Sequence, residues 1–138
     1  MCCVKPVELY APQSYIQATP EERRQVVNGC GAGGWLRHLV PDRIYGLKVE
    51  EACDIHDWMY ATGLTIEDKE LADRVFLNNL LRIIDANTRW GWLRRLRYLR
   101  ARKYFEAVQH FGGPAFWKGK NQPEELFTYE PISPLSYA

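Results

Sequence analysis

The chain reads as a small, mainly α-helical domain with two long antiparallel helices, a glycine-rich loop and no substantial β-sheet. Three observations predict this. Apolar residues recur at three- and four-residue spacing over roughly 48–62, 65–87 and 93–111. Glycine or a polar break closes each stretch, at Gly63, between Thr88 and Gly91, and at Gly112-Gly113-Pro114. No segment alternates apolar and polar residues as a half-buried strand does. With 138 residues, 46% hydrophobic and 25% charged, the composition predicts one soluble globular unit long enough to bury a core. The organisation expected is an extended lead-in over 1–18, a helical domain over 19–113, and an extended tail rich in Pro and aromatics over 114–138.

The elements follow in order. Thr19-Pro20-Glu21-Glu22 opens a short helix: Thr caps, Pro takes the first position, and Glu stands three after the cap. That helix stops at Asn28-Gly29. The run Gly29-Cys30-Gly31-Ala32-Gly33-Gly34 then demands positive φ or a close backbone approach. A loop through Pro41 and Asp42 leads to the helix over 48–62. Its inward row is Val49, Ala52, Cys53, His56 and Met59, with Tyr60 one turn beyond His56. Thr65-Ile66-Glu67-Asp68 caps the next helix, which runs to about Asn87 with Phe76, Leu77, Leu80, Leu81 and Ile84 inward. Stepping back from Phe76 places Asp73 on that apolar face, where a lone charge is costly. The last long helix, from about Leu93, buries Ala101, Tyr104, Phe105, Val108 and Phe111.

Consecutive helices joined by a tight turn pack antiparallel, so His56 and Asp73 are expected to face each other. Asp73 would then accept from one imidazole nitrogen and leave the other as a general base. Tyr60 can donate its hydroxyl to the same carboxylate. No serine or cysteine nucleophile is paired with this base, which points to water. Asp57 lies about a quarter turn away. With carbonyl oxygens of the glycine loop it makes a hard-oxygen set of the kind calcium takes. A bond between Cys30 and Cys53 would tie that loop to the helix.

The two segments Gly29-Cys30-Gly31-Ala32-Gly33-Gly34 and Cys53-Asp54-Ile55-His56-Asp57-Trp58-Met59-Tyr60 resemble the calcium loop and active-site helix of secreted phospholipase A2. Asp73-Arg74-Val75-Phe76 and Tyr104-Phe105-Glu106-Ala107-Val108-Gln109-His110-Phe111-Gly112 resemble its short bacterial and fungal branch. The likeness spans roughly 19–113. It departs at Ala52 and Met59, where the family usually carries cysteines, and in a loop one residue shorter after Cys30. The resemblance implies His56 as base, Asp73 as its orienter and Tyr60 in support. It implies Asp57 with the carbonyls of Gly31, Gly33 and about Gly29 as ligands of Ca2+. It also implies a Cys30–Cys53 disulfide, hydrolysis of the sn-2 ester of glycerophospholipids, and secretion. The N-terminus lacks the basic-then-apolar pattern of a signal peptide, so the compartment stays open.

Other readings remain. Asp73 pairing with Arg74 or Arg100 would be purely structural. Cys30, His38, Cys53 and His56 include a usable half of a zinc site, in a nucleic-acid-binding domain. From Arg89 to Lys103 there are seven basic residues and no acidic one. That stretch is either a solvated helix face or, through Trp90, Trp92, Arg94, Arg95 and Arg97, a membrane or protein-partner surface of a catalytic or non-catalytic module. No apolar run is long enough to span a bilayer.

Overall fold

The computed structural model describes residues 5–29 and 40–120, with the backbone alone for Asn28 and Gly29. Among them the chain is mainly helical, as expected. Its elements are α1 (Gln13–Gln17), α2 (Pro20–Gly29), β1 (Arg43–Ile44), β2 (Leu47–Lys48), α3 (Glu50–Thr62), α4 (Ile66–Asn87), α5 (Gly91–Phe111) and α6 (Gly113–Trp117). No helix among the described residues is long and apolar enough to cross a membrane.

Both expected caps form. The Thr19 hydroxyl accepts from the Glu22 amide at 3.1 Å while the Glu22 carboxylate accepts from the Thr19 amide at 3.0 Å. Thr65 and Asp68 make the same reciprocal pair at the head of α4. Each box satisfies donors that a helix start leaves orphaned, worth about 1 kcal/mol.

The helices α3, α4 and α5 run antiparallel in turn around one core. Ala52 and Tyr60 of α3, Phe76, Leu80 and Ile84 of α4, and Ala101 and Val108 of α5 meet there. The other side of α3 is covered as well. Ile55 and Trp58 pack with Tyr15 of α1, whose ring stands edge-on to the indole at 5.7 Å. The indole N–H donates to the Ser14 hydroxyl at 3.0 Å. The helix that carries His56 is thus packed from two sides.

Several expectations need correction. Among the described residues of the lead-in, 5–12 are extended and a helical turn, α1, follows. The extended part lies along α4, with Asn79 exchanging two 2.8 Å hydrogen bonds with the Tyr10 backbone. A two-stranded hairpin stands before α3. Tyr45 (φ 45) and Gly46 (φ 81) turn it with both central residues at positive φ, which suits the twist of a tight hairpin. The tail does not leave α5 as extended chain: α6 folds back and buries Phe116 edge-on against Tyr60 at 5.3 Å. Phe116 is fully buried, whereas Phe111, expected in the core, ends α5 and is 60% exposed. The tail beyond 120 lies outside the described residues.

Arg97 is also displaced from its expected role. It is buried, donating to the Thr88 hydroxyl at 2.9 Å and to the Tyr45 carbonyl at 2.8 Å. It sits one turn before Ala101 on the inward row and ties the hairpin to α5, so it is no part of a surface. Arg94 is half-buried and donates to the Thr88 carbonyl at 2.7 Å.

Candidate active site

The α3–α4 turn is short because Gly63 admits the Met59 carbonyl and the Phe116 ring, each 2.9 Å from where a Cβ would stand. That turn sets His56 against Asp73. The imidazole Nε2 lies 2.8 Å from Asp73 Oδ1, with both side chains buried. The Tyr60 hydroxyl donates to the same oxygen at 2.7 Å. Phe76 and Tyr60 flank the imidazole, their ring centres 4.7 and 4.1 Å from its own.

The other carboxylate oxygen is held by a residue that sequence reasoning missed. The Lys69 ammonium donates to Asp73 Oδ2 at 2.9 Å and to the carbonyls of Val108 at 3.2 Å and Gln109 at 3.4 Å. All three of its protons are thus placed. Arg74 and Arg100, the partners considered for Asp73, are not its partners. Lys69 stands four residues before Asp73, the spacing at which opposite charges meet on a helix, and that signal was available.

The charge state follows from these contacts. Burial alone would raise the Asp73 carboxyl. The hydrogen bonds from His56, Tyr60 and Lys69 outweigh it and hold the group below the ordinary carboxylate value of 3.8. An ionised carboxylate only accepts, so Nε2 carries the proton and donates it. Among the described residues no hydrogen bond reaches Nδ1, which keeps its lone pair. Burial lowers the His56 pKa below 6.5, and the Lys69 charge adds to this against the pull of Asp73. The imidazole is neutral near neutral pH. Burial and the Asp73 charge push the Tyr60 hydroxyl upward, so it stays a donor.

His56 also lines a small, partly open recess shared with Asp57, Cys53 and Asp54. The space for the centres of water-sized molecules is about 20 Å³, room for about one water. Asp57 is nearly buried there, and its carboxylate is the hard donor a calcium ion takes. Asp42 and Glu50 line the same recess. Gly29 ends α2, whereas Gly31, Gly33, Cys30 and His38 lie outside the described residues. The expected carbonyl ligands of Gly31 and Gly33, the Cys30–Cys53 bond and two members of the zinc quartet therefore fall there too. Among the described residues no group of three or more His, Cys, Asp or Glu side chains is placed to hold a metal ion.

Gly112 was likewise missed. A Cβ on it would run into the Tyr60 hydroxyl and the Val108 carbonyl. Only glycine lets the end of α5 approach the Tyr60–Asp73 contact this closely.

No family model, curated protein or solved structure matches this chain.

Proposed function

We propose that this chain hydrolyses the sn-2 ester of glycerophospholipids with calcium, in the manner of the phospholipase A2 family its motifs resemble. The observation that carries the reading is the His56–Asp73 bond of 2.8 Å, with Tyr60 on the same carboxylate. A buried, neutral imidazole with one nitrogen fixed, on a residue that lines a recess of water size, suits a general base.

In this scheme Nδ1 of His56 takes a proton from a water in the recess, and the oxygen attacks the ester carbonyl. The imidazolium that forms is stabilised by ionised Asp73, whose own charge is balanced by Lys69. His56 then returns the proton to the departing lysophospholipid oxygen. Calcium, held by the Asp57 carboxylate with carbonyls of the glycine loop, would polarise the ester carbonyl and stabilise the oxyanion.

The test is fatty-acid release from phospholipid vesicles with calcium saturating. Wild type releases fatty acid. His56→Ala, still folded, loses at least about a hundredfold, the contribution of a general base. Asp57→Asn needs far more calcium for the same rate. A wild type inert on every head group tried ends this reading.

A further inference from the structure

Helix α5 has one buried side and, over its first half, an exposed apolar side opposite it. One side is the core row of Arg97, Ala101, Tyr104 and Val108. The opposite side carries Trp92, Leu96 and Leu99, spaced four and three apart and so stacked in one stripe. Trp92 is 64% exposed, Leu96 40% and Leu99 52%. Trp90, just before the helix, is 56% exposed and stacks on Trp92 with ring centres 6.2 Å apart and planes 9° from parallel. Large apolar side chains grouped in this way mark a contact surface rather than ordinary surface scatter.

The charges around the stripe select the partner. Arg95 and Arg102 flank it on one edge and Arg100 on the other, all exposed. Among the described residues Asp85 lies beside this part of α5, already bonded by the Tyr98 hydroxyl and 3.7 Å from Arg94. Glu106, one turn after Arg102, lies 3.6 Å from that guanidinium. A second copy of the chain packed symmetrically on this face would set arginine against arginine. A nucleic acid would use the cations, but it offers nothing for Leu96 and Leu99, and the two indoles already stack on each other rather than standing open to bases. An anionic bilayer satisfies every part: headgroup phosphates for the arginines, the interfacial zone for the indoles, and acyl chains for the leucines.

We infer that the outer face of α5, led by Trp90 and Trp92, is an attachment site for anionic phospholipid membranes. It is separate from the catalytic recess. Trp92 precedes Val108, beside Lys69, by sixteen residues, which along a helix is about 24 Å. The attachment does not depend on hydrolysis and is tested without it.

The experiment is co-sedimentation of His56→Ala protein with vesicles in calcium-free buffer, so that no lipid is cleaved. Protein is expected to pellet with mixed phosphatidylcholine–phosphatidylglycerol vesicles and to stay in solution with phosphatidylcholine alone. Trp90→Ala/Trp92→Ala weakens binding on the order of tenfold, and Arg95→Gln and Arg102→Gln weaken it about fivefold each. These side chains are exposed, so thermal melts of the variants match the parent. Should the double Trp variant fail to fold, the two arginine variants carry the test. The inference is overturned if the parent ignores anionic vesicles, if the folded variants bind as the parent does, or if the same residues capture an RNA oligomer while vesicles go unbound. None of these outcomes bears on whether wild type cleaves esters.

Discussion

Lys69→Met removes the ammonium from Asp73 while keeping an apolar stem of similar reach. Asp73 then retains two donors on Oδ1 and loses its donor on Oδ2. Both partners of this ion pair are buried, at 7% and 2% side-chain exposure, so the remaining charge is poorly solvated. Breaking a buried pair from one side costs about 3–5 kcal/mol. The Val108 carbonyl keeps the Gly112 amide as a donor, so no further large loss arises there. We expect about 3 kcal/mol in urea melts and a fall of roughly 10 °C in Tm. The proposed hydrolysis supplies a second readout. Lys69 disfavours the protonated His56, so its loss raises the imidazole pKa, and the now unopposed Asp73 charge raises it further. A base with a raised pKa is lost at higher pH. The acid limb of kcat/KM therefore moves to higher pH in Lys69→Met, while Lys69→Arg holds it near its wild-type position. A folded Lys69→Met protein whose limb stays put, or moves to lower pH, would refute an electrostatic role and leave Lys69 as a strut.

Two further outcomes concern the same cluster. Gly112→Ala forces a methyl group against the Tyr60 hydroxyl and the Val108 carbonyl, so it should cost about 1–3 kcal/mol in urea melts, with activity falling alongside. A melt matching wild type would mean that the end of α5 yields freely. Stability should also fall on acidification, in two stages. His56 has a lowered pKa, so the unfolded chain binds its proton first, and stability drops as pH goes below about 6.5 toward the folded value. Asp73 is likewise depressed; its contribution is complete above 3.8 and is lost as pH falls through its folded pKa. Urea midpoints across that range check both stages, and a His56→Gln protein should lack the first.

The parts legible in the sequence were those with a period or a local code. Thr19 with Glu22 and Thr65 with Asp68 announced their helices because a capping box is a four-residue pattern. His56 and Asp73 could be matched because each lies on the apolar row of its helix and a short turn fixes the pairing. The hairpin at 43–48 was not legible: its strands are two residues each, and Tyr45-Gly46 is not one of the usual turn pairs. The helices α1 and α6 are single turns, too short to show a period, so Phe116 and Tyr15 went unnoticed as core residues. Arg97 and Lys69 were obscured for a different reason. Both are cations on inward rows, where composition suggests surface; the four-residue spacing to Asp73 is the one sequence signal for Lys69, and only the positions of Thr88, Tyr45 and Val108 in space reveal the rest of what they hold. The hydrolytic reading rests on the same motifs as before, with a base geometry that suits it.

The reach of Lys69 bears on how the protein is made. His56 and Asp73 are seventeen residues apart and leave the ribosome almost together. The Val108 carbonyl that also anchors Lys69 follows thirty-nine residues after it. Until that last stretch is translated and docks, the ammonium lacks its main-chain partners and Tyr60 lacks the cover of Gly112 and Phe116. The His56–Asp73–Lys69 cluster is therefore complete only once the end of α5 has docked.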